Sequence, residues 1–96
     1  MTQANAVRRL ETEVVRVTEW QFEPGAETGQ HRHGYDYVVV PLTGGTLRLV
    51  EPDGERDAAL SPGVAYSRKA GVAHNVVNNG SQYLAFVEIE LLDRAG

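Results

Sequence analysis

Turn-forming residues recur about every eight to twelve positions along this 96-residue chain. Between them lie short runs rich in valine, leucine and aromatic residues, and no run has a convincing helical period. Short strands separated by regular turns are typical of all-β sandwiches and barrels. The turns are Pro24-Gly25, Thr43-Gly44-Gly45, Pro52-Asp53-Gly54, Ser61-Pro62-Gly63, Lys69-Ala70-Gly71 and Asn78-Asn79-Gly80. We therefore predict an all-β fold.

Strands are predicted over residues 14–22, 35–41, 46–51, 55–60, 64–68 and 82–92. The valines at 38–40 predict a strand covered on both faces, with an outward half available to a partner subunit. The run Asn78-Asn79-Gly80 predicts a hairpin, because an Asn-Gly pair tolerates positive φ at both central turn positions. Residues 1–10 lack clear periodicity, and two alternatives stay open for them: a flexible arm, or a strand exchanged with a neighbouring subunit.

Length and composition limit the classes of protein to which the chain can belong. Ninety-six residues support one modest core, so a single domain over 1–96 is predicted, and a core of this size favours a homodimer. Nine scattered basic residues against thirteen acidic ones give a net charge of −4, which argues against a nucleic-acid partner. No cysteine is available for a disulfide or a thiolate site. No apolar run approaches membrane-span length, so we expect a cytoplasmic protein without a membrane partner.

The histidines are the residues with the clearest chemical meaning. His31 and His33 are separated by one residue in an extended segment, so their side chains point to the same face. Two imidazoles on one face can bind one metal ion. The chain contains one further histidine, His74, in a second segment that is framed by its own glycines and an asparagine.

Both histidine segments resemble the two motifs of the cupin superfamily. The residues in register with the first motif are Gly25, His31, His33 and Gly44, and those in register with the second are Gly63, Gly71, His74 and Asn78. The resemblance implies a small jelly-roll β-barrel, a double-stranded β-helix, in which His74 lies beside the first two histidines. It also implies a divalent metal ion bound by His31, His33 and His74. Locally, the run after His33 is similar to small single-domain cupins of β-alanine degradation.

Two positions depart from the cupin motifs: Tyr37 stands where the family has a glutamate ligand, and Lys69 replaces a proline. Tyr37 has the strand parity of the two histidines and should project into the same cavity. Three roles stay open for it: packing, a hydrogen bond to a metal-bound ligand, and direct coordination, which its pKa near 10 disfavours. As a candidate catalytic residue, Tyr37 is predicted to be a hydrogen-bond donor.

Other charged residues could complete the site. Glu27 precedes the histidines, and Asp36 is expected on the opposite strand face. Glu88 and Glu90 alternate with aliphatic residues and are predicted to form a solvated face; the alternative is that one of them reaches the metal ion. The guanidinium groups of Arg48 and Arg68 could bind a substrate carboxylate bidentately.

The leading functional hypothesis is a metal-dependent enzyme of small-molecule metabolism, either oxygenase-like or hydrolytic. Histidine ligands suit Fe(II) or Zn, and also permit Ni, Mn or Cu. The ligand would be a small molecule such as a small carboxylic acid. The alternative is a non-catalytic module that binds or senses a metabolite at the metal, and a third hypothesis is a barrel kept mainly for assembly.

Overall fold

The computed structural model describes residues 2–92 as eleven strands without a helix. The strands are β1 (Thr2–Gln3), β2 (Asn5–Glu11), β3 (Val15–Phe22), β4 (Ala26–Glu27), β5 (His31–Arg32), β6 (Tyr37–Pro41), β7 (Gly45–Glu51), β8 (Gly54–Leu60), β9 (Tyr66–Arg68), β10 (Ala73–Val77) and β11 (Leu84–Leu91). The predicted all-β class is confirmed. Met1 and residues 93–96, which the predicted single domain includes, lie outside the described residues. Within the described part of the chain, no helix could span a membrane.

The strands form two sheets that enclose a common core. The first sheet has the order β1-β4-β10-β7-β8, with β5 also paired to β10, and the second has the order β2-β3-β11-β6-β9. Consecutive strands alternate between the sheets along much of the chain, which makes the fold a jelly roll, as predicted. The core lies between the sheets, where the Phe22 and Phe86 rings stack with centroids 5.6 Å apart and Leu47 and Leu49 pack from the opposite side.

Residues 2–11 contribute to both sheets. β1 pairs in parallel with β4, and β2 pairs antiparallel with β3 of the same chain, with a bulge between Arg8 and Leu10. Residues 2–10, for which the sequence left two alternatives open, are therefore part of the barrel of their own chain.

Strand β11 differs from its sequence-based interpretation. Glu88 was predicted to be solvated, but it is only 8% exposed. Its side chain lies on the same face of β11 as Phe86, towards the core. Val87 and Ile89 lie on the outer face and are only half-buried. The prediction was wrong because a period of two identifies which residues share a face, but not which face is inside.

The run Asn78-Asn79-Gly80 does not form the predicted hairpin. Strands β10 and β11, which it connects, belong to different sheets, and neither asparagine adopts a positive φ. The Asn78 side chain is instead completely buried. Its amide nitrogen lies 3.2, 3.3 and 2.8 Å from the carbonyl oxygens of Phe22, Glu23 and Gln82, and its amide oxygen accepts from the Gly80 N–H at 3.1 Å. Asn78 therefore joins the end of β3 to the loop that follows β10.

We expect Asn78→Ala to lower the free energy of unfolding by about 2–3 kcal/mol, because it leaves buried carbonyl oxygens without a donor. Asn79→Ala, at the exposed neighbouring position, is the matched control and should change stability by less than about 0.5 kcal/mol. Urea denaturation of both variants measures the difference. Equal stabilities would show that the Asn78 side chain does not hold these segments together.

Candidate metal centre

Backbone pairing brings the three histidines together. His31 in β5 is the direct cross-strand partner of His74 in β10. The pairing continues beyond β5, because the His33 N–H donates to the Val72 carbonyl and the Gly71 N–H donates to the His33 carbonyl, both at 2.8 Å. The three imidazoles consequently form one cluster, as the sequence predicted, with His33 and His74 buried and His31 half-buried.

The imidazole Nε2 atoms converge on one point. The Nε2 atom of His33 lies 3.1 Å from that of His31 and 3.1 Å from that of His74. Two nitrogen ligands about 2.1 Å from one ion are about 3.0 Å apart when they subtend a right angle at it. The three ligand atoms lie within 4.8 Å of one another. A pair at that limit needs a small rotation of its rings to share one divalent ion, because two nitrogens about 2.1 Å from an ion are at most about 4.2 Å apart.

Each Nδ1 atom faces an acceptor on the outside of the cluster. The Nδ1–H of His31 donates to the Gly29 carbonyl at 2.9 Å. A Glu88 carboxylate oxygen lies 3.9 Å from Nδ1 of His33, and a Glu51 carboxylate oxygen lies 3.8 Å from Nδ1 of His74. Within residues 2–92, only His31 has a hydrogen bond at Nδ1. The two carboxylates are too distant for hydrogen bonds, and His74 Nδ1 has no hydrogen-bond partner in the described part of the chain, but the charge of the carboxylates favours the proton on Nδ1, which leaves the Nε2 lone pair free for a metal.

The electrostatic surroundings keep two of the imidazoles neutral. Burial, together with the charges of His31, His74 and Arg68, lowers the pKa of His33 to about 3. Burial is also the main reason why the pKa of His74 is lowered to about 4, with His31 and Arg68 acting in the same direction. Neutral imidazole is the form that binds metals. At neutral pH, protons therefore do not compete with a metal ion for His33 and His74.

Comparison with known proteins agrees with the fold and with the histidine cluster. The cupin domain family profile matches residues 18–90. This chain belongs to the cupin family. It is 57% identical over 89 residues to the β-alanine degradation protein BauB of Pseudomonas aeruginosa, with 93% of this chain and 94% of that protein aligned.

Solved cupin structures resemble the chain as well. A cupin domain from Bordetella pertussis superposes with a TM-score of 0.92 at 49% identity, covering 94% of each chain. The polyketide cyclase RemF from Streptomyces resistomycificus has a TM-score of 0.75 at 22% identity, covering 99% of this chain and 71% of that one. At that identity the second likeness extends to the fold alone.

Tyr37, which replaces the glutamate of the first cupin motif, lies in the cavity beside the histidines. Its ring stacks on His33 with centroids 3.9 Å apart and an angle of 19° between the planes. Its hydroxyl is buried and has no hydrogen-bond partner within residues 2–92. Burial raises the pKa of Tyr37 above its ordinary value, which disfavours a phenolate ligand and leaves a protonated donor.

Glu88 is the site residue for which the leading prediction, a solvated side chain, was wrong. It lines the same cavity as Tyr37, and burial, with a smaller effect from the charge of Glu90, raises its pKa to about 7. The first cupin motif has a glutamate where this chain has Tyr37. The Glu88 carboxylate comes instead from β11, where Glu88 pairs with Val39, and it lies on the Nδ1 side of His33, away from the converging Nε2 atoms. Glu88 is two residues from Phe86 on the same strand, so both side chains point to the same face. This spacing was the feature of the sequence that could have indicated an inward-facing Glu88.

The other predicted acids have structural partners. The Glu27 carboxylate accepts from the Asn75 side-chain amide at 2.8 Å, and the Asp36 carboxylate accepts from the Ala70 N–H at 2.8 Å. Glu90, 3.5 Å from the Arg16 guanidinium, is half-buried rather than solvated as predicted.

The two candidate arginines lie in different places. Arg48 pairs with Asp57 at 2.8 Å and with Glu55 at 2.9 Å along the β7–β8 hairpin, and it does not line the histidine cavity. Arg68 lines that cavity and donates to Glu51 at 3.0 Å. Only Arg68 of this pair is therefore placed to contact a molecule bound at the histidines.

The cavity that contains the histidines combines a polar side with an apolar wall. His31, His74, Arg68 and Glu88 contribute polar groups to its lining. The apolar wall consists of Trp20, Val39, Leu47, Leu49, Val76 and Phe86. The space between them is about 20 Å³, which is about the size of one water molecule, so an organic ligand would have to displace some of these side chains.

The raised pKa of Glu88 predicts an unusual pH dependence of stability. In the metal-free protein, the unfolded chain loses the Glu88 proton near pH 4.5 while the folded chain keeps it until about pH 7. Glu88 therefore lowers stability as pH rises through this window. We expect Glu88→Gln to stabilise the metal-free protein by up to about 3 kcal/mol above pH 7 and to have little effect below pH 4.5.

Thermal denaturation in the presence of a chelator, repeated from pH 4 to pH 8, measures this effect. Glu13→Gln, at an exposed position, is the control and should not change the pH profile. A Glu88→Gln variant that is no more stable than the parent at pH 8 would contradict the assigned environment of Glu88.

Proposed function

We propose that this cupin is a metal-dependent enzyme of small-molecule metabolism that acts on a small carboxylic acid. The observation that supports the proposal best is the convergence of the Nε2 atoms of His31, His33 and His74 beside a cavity with an apolar wall. All three ligands are neutral, so the charge of a divalent ion would stay uncompensated and would attract an anionic or oxygen-bearing ligand.

A bound ion would supply Lewis acidity, with Zn favouring hydrolysis and Fe(II) favouring oxygenase chemistry, while Ni, Mn and Cu fit the same ligands. The chain's own contribution is to orient the ligand. We assign to the Tyr37 hydroxyl the role of a hydrogen-bond donor to the bound molecule, because it is buried, protonated and without a partner in the described part of the chain. Glu88, on the adjacent strand, would face the same molecule from the β11 side.

The charges around Arg68 support a carboxylate as the polar end of the substrate. Glu51 accepts from Arg68 and from Arg56, each at 3.0 Å, so this group of three residues has a net charge of +1. One substrate carboxylate would neutralise it, using guanidinium N–H groups that Glu51 does not occupy. The name of the Pseudomonas relative, a β-alanine degradation protein, refers to a small molecule with a carboxylate.

Metal content tests the proposed centre. Protein purified without an immobilised-metal column should contain close to one divalent ion per chain, measured by elemental mass spectrometry. His33→Ala should lose at least nine-tenths of it, because the central ligand of the cluster is removed. Substitution of the exposed Arg32 by Ala, within the same His-x-His segment, is the control and should retain the ion. A His33→Ala variant that keeps the full metal content would overturn the three-histidine site.

The carboxylate assignment predicts different effects for the two arginines. With metal-loaded protein and with propionate and β-alanine as probes, Arg68→Gln should weaken binding by about 10- to 100-fold, the effect expected for a lost charged hydrogen bond. Arg48→Gln is the matched control and should bind as the parent does, since Arg48 lies outside the cavity. Calorimetric titration measures both variants, whose metal content is checked first. Equal affinities for Arg68→Gln and parent would refute the assignment.

The alternative function is a non-catalytic module that binds or senses a metabolite. Saturable, metal-dependent binding of a carboxylic acid without product formation or oxygen uptake would favour this alternative over an enzyme. The cytoplasmic location stays a prediction from the sequence.

A further inference from the structure

An irregularity in strand pairing precedes the first histidine. Glu27 pairs with Val77 of β10, and His31 pairs with His74 of the same strand. Between these two pairs β10 advances by three residues, whereas the segment that ends at His31 advances by four. The extra residue therefore lies in the loop 28–30 and makes it a β-bulge. We call this loop the histidine bulge.

The histidine bulge decides which way the ligands point. Side chains alternate between the two faces of a strand, so His31 would share the face of Glu27 if the segment between them were regular. Glu27 pairs with Val77 on the outer face of the sheet. His31 pairs instead with the buried His74 on the inner face. The extra residue makes this difference, because a shift of one residue exchanges the two faces.

Two side chains replace backbone hydrogen bonds that the bulge interrupts. The Val76 N–H donates to the Thr28 hydroxyl at 3.2 Å. The Gly29 N–H donates to Oδ1 of the Asn75 side chain at 2.9 Å, and Gly29 has a φ of +88°, which a glycine adopts without strain. Nδ2 of Asn75 donates to the Glu27 carboxylate at 2.8 Å. These contacts fix the orientation of the amide, because only its oxygen can accept and only its nitrogen can donate.

The contacts of Asn75 continue to the first imidazole. Gly29, whose N–H donates to Asn75, accepts with its carbonyl oxygen from Nδ1–H of His31 at 2.9 Å. Asn75 therefore holds the residue that holds the His31 ring. The acceptor behind a metal-binding histidine normally sets the tautomer and the direction of the ring.

We infer that Asn75 is a positioning residue of the metal centre: its carboxamide closes the histidine bulge and so directs Nε2 of His31 at the metal position. The inference rests on the proposed metal centre and assigns a role there to a side chain outside the cavity. Asn75 follows His74 on β10, so its side chain points to the opposite face, and it does not line the cavity. Asn75 acts on the centre through the bulge.

Zn²⁺ affinity measures the role of Asn75. In calorimetric titrations of chelator-treated protein with Zn²⁺, Asn75→Ala should weaken binding by about 10- to 100-fold, the effect expected when the partner behind a metal ligand is lost. Asn79→Ala, at an exposed asparagine beyond the end of β10, is the control and should bind as the parent does. Thermal denaturation of the metal-free proteins sets a temperature at which the titrated variants are folded.

A reciprocal exchange separates positioning from a general loss of stability. Asn75→Asp combined with Glu27→Gln reverses the donor and the acceptor between these two side chains and leaves the net charge unchanged. A carboxylate oxygen in place of the amide oxygen can still accept from the Gly29 N–H. The double variant should therefore bind Zn²⁺ with close to the affinity of the parent.

The outcomes distinguish this inference from the proposed centre. A parent that binds no Zn²⁺ would refute the three-histidine centre and the role of Asn75 together. A parent that binds Zn²⁺ no more tightly than Asn75→Ala would refute the role of Asn75 alone, and so would a double variant as weak as Asn75→Ala. If Asn75→Ala does not fold, the double variant decides: the affinity of the parent supports the role, and a loss of about tenfold or more refutes it.

Discussion

The pairing of β5 with β10 is the interaction on which the candidate centre depends. It places His31 directly opposite His74, and its continuation to His33 brings in the third imidazole. Residues 41 positions apart thus meet in a cluster whose Nε2 atoms lie 3.1 Å from their neighbours. When all three Nε2 atoms are unprotonated, their converging lone pairs repel one another, and a cation between them removes that repulsion.

The surroundings of the cluster reinforce this arrangement from the opposite side of each ring. A carbonyl and two carboxylates face the three Nδ1 atoms, and burial keeps His33 and His74 neutral. Tyr37 takes the space of the missing glutamate and stacks on His33, while Glu88 brings a carboxylate from the neighbouring strand. The Glu88 carboxylate thus lies behind the His33 ring, on its Nδ1 side, and does not take the place of the glutamate that the cupin motif directs at the metal.

Much of this was predictable from the sequence, and the failures have a common cause. The spacing of His31 and His33 predicted that both imidazoles join one cluster, and the structure shows that cluster. Tyr37 reaches the same site from β6 of the second sheet, not from the strand of the histidines as its parity had suggested. The same rule could not tell that Glu88 faces inward, because β11 presents aliphatic residues on both sides of the sheet. Local turn preference similarly assigned a hairpin to a segment whose asparagine, Asn78, makes long-range hydrogen bonds. Both errors concern contacts between sheets, and these depend on tertiary packing that a short window of sequence does not contain.

Anomalous X-ray diffraction from crystals of protein loaded with one divalent metal tests the central claim most directly. Data collected above and below the absorption edge of that metal locate it without reference to activity. The account predicts one anomalous peak per chain, about 2.1 Å from the Nε2 atoms of His31, His33 and His74. A peak coordinated through Nδ1 atoms, a peak at surface carboxylates, or no peak at the histidine cluster would contradict it.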